Sequence, residues 1–397
     1  MSANVSGWNI NQVFVDSLKY LTEHGDTLTI RGSEVKEVTN FTYELKNIHN
    51  NILTIPYRFN NFPAVCYETM WVISGMNNLS HLKYFLPNCV DYSDNGKTWA
   101  GAYGPRLRYG CSSRFRYEDV SKPINHINYK DQLYHVMRTL RDDPYSRQAM
   151  IIIGSSADYE SDQETKDRPC NIAIQYYIRN NELNCTVFQR SGDAVWGTFN
   201  INIFEWTTIQ KIIADCLNVA TGSLTHHITS FHHYTDKHTA MIEKVLETQD
   251  EIPDIYEHYR QGTDQRDNGD ESEFHKILEY HYANVFYSLN VLDHLIDNDV
   301  VRKQFNEIDK LFIDIDNQGY IKNLHNTAKS FILLKKGYIH PDFIQELLTD
   351  RGVYSIAILE YIVRYFKDDP KQIEGILDEI DDSKYEAEII DYIKWSL

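Results

Sequence analysis

The order of apolar and polar residues between positions 172 and 188 indicates a pair of β-strands. The faces of the first strand carry Ile172, Ile174, Tyr176 and Ile178 on one side, and Ala173, Gln175 and Tyr177 on the other. Alternation with a period of two is typical of a half-buried strand. Residues 179–182 are polar, and a second apolar run follows over residues 183–188. This order predicts a β-hairpin.

Other stretches repeat their apolar residues with helical spacing. Helices are predicted over residues 8–23, 131–141 and 202–216, and short strands over residues 27–30 and 149–153. After residue 270 only the helical pattern remains. The helices predicted there cover residues 274–295, 300–314, 320–334, 340–350, 353–368 and 372–394. We therefore expect an α/β (α+β) domain over residues 1–245 and an acidic, all-helical C-terminal extension over residues 246–397.

Composition narrows the classes of function. The chain has 397 residues, 42% of them hydrophobic, and a formal charge of −18. A net negative charge argues against a general duplex-binding surface, so we expect no direct nucleic acid binding. The six cysteines form no C-x-x-C pair, so we expect neither a metal site nor a disulfide framework. Without a signal pattern or an apolar run of ~18 residues, no membrane association is expected and a cytoplasmic location is the simplest.

The predicted hairpin brings a thiol and a cationic side chain together at one end. It brings Cys170, at the head of its first strand, close to Arg190, at the end of its second. A cation beside a thiol favours the reactive thiolate. Arg190 and Ser191 together offer a planar donor fork and a hydroxyl, which suit a phosphate. Elsewhere Glu68 stands in an apolar helical stretch, where burial would raise its pKa and suit it to acid–base work.

An ordered set of residues resembles the thymidylate synthase and pyrimidine nucleotide hydroxymethylase superfamily. Its elements in this chain are Pro169-Cys170, Gln189-Arg190-Ser191-Gly192-Asp193, Gly197, and Asn200 or Asn202 at the opening of a long helix. Further matches are Glu68, Trp71, Ser74 and Gly75, then Tyr103, Arg147, His232 and Tyr234. Counting back from the helix favours Asn202 as the family's base-reading residue. Counting forward favours Asn200, and both stay open.

The resemblance implies a mixed sheet with flanking helices, a homodimer and 5,10-methylenetetrahydrofolate as cofactor. It implies catalytic roles for Cys170, Glu68, Tyr103 and Asn202. The residues implied for a pyrimidine deoxynucleotide monophosphate are Arg147, Gln189, Arg190, Ser191, Asp193, Asn200, Asn202, His232 and Tyr234. Arg147 is expected to reach the site of the partner subunit. Asp193, Gly197 and Trp71 are the residues implied for the folate.

Departures from the synthase pattern favour the hydroxymethylase branch. Asn171 follows the nucleophile where synthases have His, and the usual Pro-Phe-Asn element is altered. The closing C-terminal tail and the usual folate-facing tryptophans are not recognisable, with Trp99 and Trp196 as candidate replacements. The phosphate-binding Arg before residue 27 is also missing, with Arg31 as its candidate replacement. Water would then enter the site.

The base is expected to be uracil, because an Asn side chain offers a donor and an acceptor for O4 and N3–H. The resemblance is greatest to phage deoxyuridylate hydroxymethylases, which supply hydroxymethyluracil for modified DNA and would act in the host cytoplasm. A thymidylate synthase making dTMP is the first alternative, and a dCMP or CMP hydroxymethylase is the second. From another class, a nucleotide-binding scaffold remains, with the acidic helices recruiting partners. Formation of any product from dUMP would separate an enzyme from a scaffold.

Overall fold

The structure is a computed structural model. It describes residues 3–110, 119–123, 125–160, 165–252, 255–258, 274–298, 319–338 and 353–379. Within these ranges, none of the helices combines the length and the apolar character that crossing a membrane requires. The predicted helices at residues 300–314 and 340–350 lie outside the described residues, as does most of the one predicted at 372–394.

Seven strands form one mixed sheet. They are β1 (Ala3–Gly7), β2 (Asp26–Ile30), β3 (Ser33–Leu45), β4 (Met150–Ile152), β5 (Asn171–Arg179), β6 (Glu182–Asp193) and β7 (Ala220–Tyr234). The order across the sheet is β1-β3-β7-β6-β5-β4, and β2 pairs with the first half of β3. Two neighbouring pairs are parallel, β1 with β3 and β6 with β7, and the others are antiparallel. The predicted mixed-sheet fold class is confirmed.

The predicted hairpin is β5 and β6. Its turn residues Asn180 and Asn181 both have positive φ, 55° and 62°, which is the conformation that closes a tight hairpin. One part of the predicted strand pattern is wrong. A register shift between Asn171 and Ala173 moves Ile172 to a half-buried position and turns Asn171 into the interior, because a one-residue slip exchanges the faces of a strand.

Helices cover one side of the sheet and extend beyond it. They are α1 (Ile10–His24), α2 (Phe62–Ile73), α3 (Leu82–Phe85), α4 (Tyr103–Tyr109), α5 (Gln132–Asp142), α6 (Ile203–Leu217), α7 (Thr235–Glu247), α8 (Ile255–His258), α9 (Phe274–Asp297), α10 (Tyr320–Lys335), α11 (Val353–Tyr365) and α12 (Pro370–Glu379). All residues of α2 and almost all of α6 are buried, so these two helices form the centre of the core.

A π-helix over Ala194–Asn202 joins β6 to α6. The sequence pattern predicts the helix over 202–216 but not this wider turn. Hydrogen bonds from i to i+5 take one more residue per turn than those of an α-helix. Asn200 and Asn202, the two candidates for the base-reading residue, both lie in this π-helix.

The helices after residue 270 pack on the sheet-containing part. Tyr282 of α9 donates to both carboxylate oxygens of Asp131, at 3.1 and 3.0 Å, and its ring lies 3.5 Å from the Arg108 guanidinium. Tyr67 of α2 donates to Asp293 of α9 at 2.6 Å. The predicted helices at 274–295, 320–334 and 353–368 are confirmed as α9, α10 and α11. A domain boundary at residue 245 stays a prediction.

Candidate active site

A cavity of about 650 Å³ lies between the ends of β5, β6 and β7 and the helices α2 and α4. It brings together residues that are far apart in the sequence. Those named as site candidates are Glu68, Trp71, Tyr103, Cys170, Asp193, Asn202 and Tyr234. Trp99 and Trp196 line the same cavity. The absence of the usual folate-facing tryptophans from the sequence motif is therefore a weaker argument against a synthase.

The thiol of Cys170 lies where the hairpin prediction puts it. The Arg190 backbone N–H donates to the Cys170 carbonyl at 2.9 Å, which aligns the two strand ends. The Arg190 guanidinium contacts the Cys170 Sγ at 3.7 Å and donates to the carbonyls of Arg168 and Pro169, both at 3.0 Å. The guanidinium is thus held rigidly beside the sulfur by the backbone that precedes it.

The expected bias toward thiolate is only partly met. Burial raises the pKa of Cys170 above its ordinary value, while the cation of Arg190 lowers that pKa. The Asp167 carboxylate raises it, and Arg31 lowers it in turn. Desolvation of a buried thiolate outweighs both cations, so the free site holds a neutral thiol.

Arg31 reaches the site from the turn between β2 and β3. Its backbone has a φ of +49°, which is uncommon for a residue with a side chain. Its charge acts on both Cys170 and Tyr234. These electrostatic effects support Arg31 as the replacement for the family's missing loop Arg. Its role in phosphate binding stays a prediction.

Glu68, on helix α2, lines the same cavity as the thiol. It is 8% exposed, and its Oε2 has no hydrogen-bond partner among the described residues. Burial raises the pKa of Glu68 to about 8, and the carboxylate of Asp167 adds to this rise. The sequence expectation of a buried carboxyl with a raised pKa is met.

Tyr103 and Asn171 form one hydrogen-bonded unit beside Cys170. The Asn171 amide donates to the Tyr103 hydroxyl at 2.9 Å. The Tyr103 ring packs on Trp206, with centroids 5.3 Å apart. The β-bulge at the start of β5 turns Asn171 inward and makes this contact possible. Asn171 therefore lies behind the lining of the cavity and contacts it through Tyr103.

The two candidate asparagines differ in position. Asn202 lines the cavity, whereas Asn200 is buried and lies outside its lining. The Gln189 amide donates to the Asn202 Oδ1 at 3.4 Å. Gln189 also donates to the Ser191 carbonyl at 2.8 Å, which fixes its amide. Location favours Asn202 as the base-reading residue.

Asp193 has a structural task in addition to its place in the cavity. Its carboxylate accepts from the backbone N–H groups of Val195 and Trp196, at 2.8 and 3.1 Å, and so caps the π-helix. The buried Arg58 donates to the Val195 carbonyl at 2.6 and 3.0 Å and lies 5.5 Å from the Trp196 ring. These contacts fix the Trp196 indole at the mouth of the cavity.

Other predicted site residues lie outside the lining of the cavity. They are Arg147, Gln189, Arg190, Ser191, Gly197, Asn200 and His232. Arg147 is exposed, just before β4. His232 pairs with Asp193 across the sheet and stacks edge-on against Tyr234, with centroids 5.6 Å apart. A Cβ at Gly197 would meet Asn202 Oδ1 at an ordinary 3.6 Å, so no steric need for glycine is visible there.

The sequence reasoning missed two acidic residues. Asp167 lines the cavity, accepts from the Gly101 backbone N–H at 2.8 Å, and has its pKa raised to about 6 by burial. Glu205 lies behind the wall of the cavity and is 1% exposed. Its sequence context, Ile-Phe-Glu-Trp in an apolar helix, carries the same signal that pointed to Glu68.

The fold and the cavity define an α/β protein with a cysteine-centred site, in which a thiol, arginines and buried carboxyls converge. A family profile described as thymidylate synthase matches residues 12–284. The chain belongs to the thymidylate synthase family. The match extends beyond residue 245, into helix α9.

Individual relatives carry two different names. A deoxyuridylate hydroxymethyltransferase of Bacillus phage SP01 is 32% identical over 243 residues, which is 61% of either chain. One of Delftia phage PhiW-14 is 33% identical over 196 residues, covering 49% of this chain and 52% of the relative. A thymidylate synthase of Mycoplasma pneumoniae is 25% identical over 256 residues, covering 60% of this chain and 86% of the relative. This chain therefore spans less than two thirds of the length of these phage relatives.

Proposed function

We propose that this protein transfers one carbon to C5 of dUMP and releases 5-hydroxymethyl-dUMP, as a precursor for modified phage DNA. The observation that carries the proposal is that Cys170, with Arg190 at 3.7 Å, and the buried Glu68 line the same cavity. The similarity to two phage proteins named deoxyuridylate hydroxymethyltransferase supports it.

Cys170 is the nucleophile. Its Sγ adds to C6 of the pyrimidine, and the electron pair of the C5–C6 double bond makes C5 nucleophilic. The neutral thiol must lose its proton first, and Arg190 favours the thiolate once the substrate closes the site. Arg190, Ser191, Arg31 and Arg147 of a second copy hold the phosphate, so that binding energy orients the ring.

Asn202 reads the base. Its Oδ1 accepts from Gln189 and retains a second lone pair for N3–H, while its Nδ2 can donate to O4. Uracil meets both requirements, whereas cytosine presents a donor at position 4 and an acceptor at N3. Tyr234 and His232 support the sugar.

The cavity suits 5,10-methylenetetrahydrofolate. Trp71, Trp99 and Trp196 line one cavity, where flat aromatic faces offer stacking surfaces for the rings of a folate. Asp193 and Gly197 complete the residues proposed to hold it. When bound, this cofactor supplies one carbon at the oxidation level of formaldehyde.

Glu68 handles the water that completes the reaction. An exocyclic methylene forms on C5 of the Cys170 adduct when C5 gives up its proton to water and the bond from the new carbon to the folate nitrogen breaks. The methylene then accepts the oxygen of a water molecule, while Glu68 takes the proton of that water. The electron pair then re-forms the C5–C6 double bond and expels the Cys170 thiolate. Asn171 and Tyr103, joined at 2.9 Å, position polar groups beside this carbon.

A homodimer through the open face of the sheet accompanies this proposal. Met150 and Ile152 of β4 and Phe188 of β6 are exposed there, by 36%, 43% and 38%. These two strands flank β5, and exposed apolar side chains that share one face of a sheet mark an association surface. Arg147 precedes β4 at the same edge, which suits a residue that serves the partner's site. The helices beyond residue 245 are proposed as an extension that braces the α2 side.

The test is incubation of the protein with dUMP and methylenetetrahydrofolate, followed by mass analysis of the nucleotide and absorbance of the folate. Addition of water leaves tetrahydrofolate, so we expect 5-hydroxymethyl-dUMP without dihydrofolate. Stoichiometric dihydrofolate with dTMP would instead establish the second candidate, a thymidylate synthase. The three tryptophans in the cavity are the observation that favours this second candidate.

A further inference from the structure

Residues 57–60, between β3 and α2, form a short segment that supports the mouth of the cavity. Arg58 in this segment is only 2% exposed. Its guanidinium donates to the Val195 carbonyl in the π-helix at 2.6 and 3.0 Å, and to the Phe59 carbonyl at 2.8 Å. The same guanidinium lies 5.5 Å from the Trp196 ring. The position of Trp196 therefore depends on where Arg58 is held.

The backbone of this segment has an unfavourable conformation. Tyr57 has a φ of +67°, which is uncommon for a residue with a large side chain. Such a conformation persists only where the surrounding structure imposes it. The contacts of the residues that follow Tyr57 therefore decide where the Arg58 side chain lies.

Helix α11 of the extension contacts this segment through Phe59. The Phe59 and Tyr361 rings stack with centroids 5.8 Å apart, and the Arg364 guanidinium lies 4.6 Å from the Phe59 ring. Tyr361 packs in turn on Phe331 of α10, with centroids 5.6 Å apart. Aromatic pairs and cations over aromatic rings both favour a defined geometry. The two adjacent residues thus join the π-helix, through Arg58, to α11, through Phe59.

Helix α11 is itself fixed in the core. All of its residues from Val353 to Val363 are buried. The Tyr354 ring packs against Phe62 of α2 and Phe204 of α6, with centroids 5.7 and 6.2 Å apart. The helix therefore gives Phe59 a support that is anchored on two helices of the core.

Two carboxyl groups act on the buried charge of Arg58. Burial lowers the pKa of Arg58 to about 10, and the carboxylates of Asp193 and Glu360 oppose this shift. Glu360 belongs to α11 and is 8% exposed. Burial raises the pKa of Glu360 to about 7, and the cations of Arg364 and Arg58 lower it. A carboxyl of the cavity and a carboxyl of the extension therefore both favour the cation beside Trp196.

We propose that Tyr361 and Arg364 of α11 are positioning residues for the bound folate. They hold Phe59 and, through Arg58, keep the Trp196 indole in place at the mouth of the cavity. This inference rests on the proposed function, in which Trp196 offers a stacking surface to the folate. Since neither residue lines the cavity, both should affect the affinity for the folate more than the chemical step.

The first test compares Tyr361→Leu with Tyr361→Phe in the full chain. KM for methylenetetrahydrofolate is measured at saturating dUMP, and all C5-substituted nucleotide, whether hydroxymethyl or methyl, is counted. Leu removes the ring that stacks on Phe59, so KM should rise by about 3- to 10-fold while kcat stays within about twofold. Phe keeps the ring, so its KM should stay near that of the wild type.

The matched control is Tyr354→Leu, which removes a buried ring of the same helix that packs on Phe62 and Phe204 instead. Its KM for the folate should stay near that of the wild type. Equal increases of KM in Tyr361→Leu and Tyr354→Leu would overturn the inference, and so would a lower kcat at an unchanged KM in Tyr361→Leu.

Arg364→Gln tests the same contact at a half-buried position, where folding is least at risk. It removes the cation over the Phe59 ring, so KM for the folate should rise by about 2- to 3-fold. Lys367→Gln removes an exposed cation just after the same helix and should leave KM unchanged. An unchanged KM in Arg364→Gln would contradict the inference even if Tyr361→Leu does not fold.

A second measurement needs neither folate nor turnover. The protein is labelled with 5-fluorotryptophan, and the fluorine NMR resonance of Trp196 is assigned by its loss in Trp196→Phe. Tyr361→Leu should displace this resonance, whereas Tyr361→Phe and Tyr354→Leu should leave it in place. A Trp196 resonance that stays in place in Tyr361→Leu would contradict the inference. A displaced resonance in a protein whose wild type forms no C5-substituted nucleotide would contradict the proposed function and not the positioning of Trp196.

Discussion

The two sides of the cavity differ in the charges that surround a buried titratable group. On the thiol side, Cys170 is flanked by Arg190 and Arg31, whose charges lower a pKa that burial raises. On the carboxyl side, burial raises the pKa of Glu68 to about 8, and the carboxylate of Asp167 adds to this rise. The same desolvation is thus opposed on one side and reinforced on the other. Burial favours the neutral form of both groups, but only the thiol has cations beside it that favour its anion.

The two sides also rest on different parts of the fold. The thiol side belongs to neighbouring strands, with Cys170 at the head of β5 and Arg190 near the end of β6. The carboxyl side stands on α2, which is braced from outside by α9 through the Tyr67–Asp293 hydrogen bond of 2.6 Å. Substitutions in α9 should therefore affect the carboxyl side more than the thiol side.

Removing the sulfur of Cys170 should have the largest effect on activity. Cys170→Ala should abolish turnover, because no covalent adduct can form, while nucleotide binding stays within roughly an order of magnitude. Product formation and dUMP binding are the two measurements. Cys89→Ala is the matched control, since Cys89 lines the same cavity, burial raises the pKa of its thiol to about 11, and the variant should retain activity. Undiminished turnover in Cys170→Ala would remove the mechanism.

A smaller effect on activity is expected from changing Asn202, which lines the same cavity. Asn202→Asp should shift preference from dUMP toward dCMP by about 10-fold or more, because a mismatched buried polar group costs ~1–3 kcal/mol. The ratio of kcat/KM for the two nucleotides measures the shift. Asn200→Asp is the control, and Asn200 lies outside the cavity. A shift in the control together with a silent Asn202→Asp would reverse the assignment.

The smallest effect on activity is expected from a change in helix α9, which should instead alter stability. Tyr282→Phe removes two hydrogen bonds to the fully buried Asp131 and should lower the free energy of unfolding by about 2 kcal/mol. Denaturant unfolding measures this change. Tyr280→Phe on the same helix is the control, because Tyr280 is 46% exposed and its loss should cost under about 0.5 kcal/mol. Equal stabilities would show that Tyr282 does not brace Asp131 and Arg108.

The thiol side was predictable from the sequence because its residues are close in the chain. A hairpin with period-two alternation fixes which strand ends meet, and this alone is enough to pair Cys170 with Arg190. Glu68 was found through its apolar surroundings and the family motif. The family resemblance also predicted the mixed sheet.

Three features escaped prediction for physical reasons. The bulge that turns Asn171 inward depends on the pairing of β5 with β6, which alternation alone does not report. The π-helix before α6 leaves the apolar spacing almost unchanged, so the choice between Asn200 and Asn202 stayed open. Glu205 has an apolar sequence context like that of Glu68, but no family motif singled it out, and the packing of α6 is what shows it to be 1% exposed.

The division of labour between the two sides can be tested by quenching the reaction in the Glu68→Gln variant and measuring the mass of the peptide that contains Cys170. Cys170 should still attach dUMP, while Gln at position 68 cannot accept the proton of water. The account predicts that the Cys170 peptide accumulates with nucleotide and one added carbon, and that free product appears slowly. An unmodified Cys170 peptide in a variant that has lost turnover would contradict it.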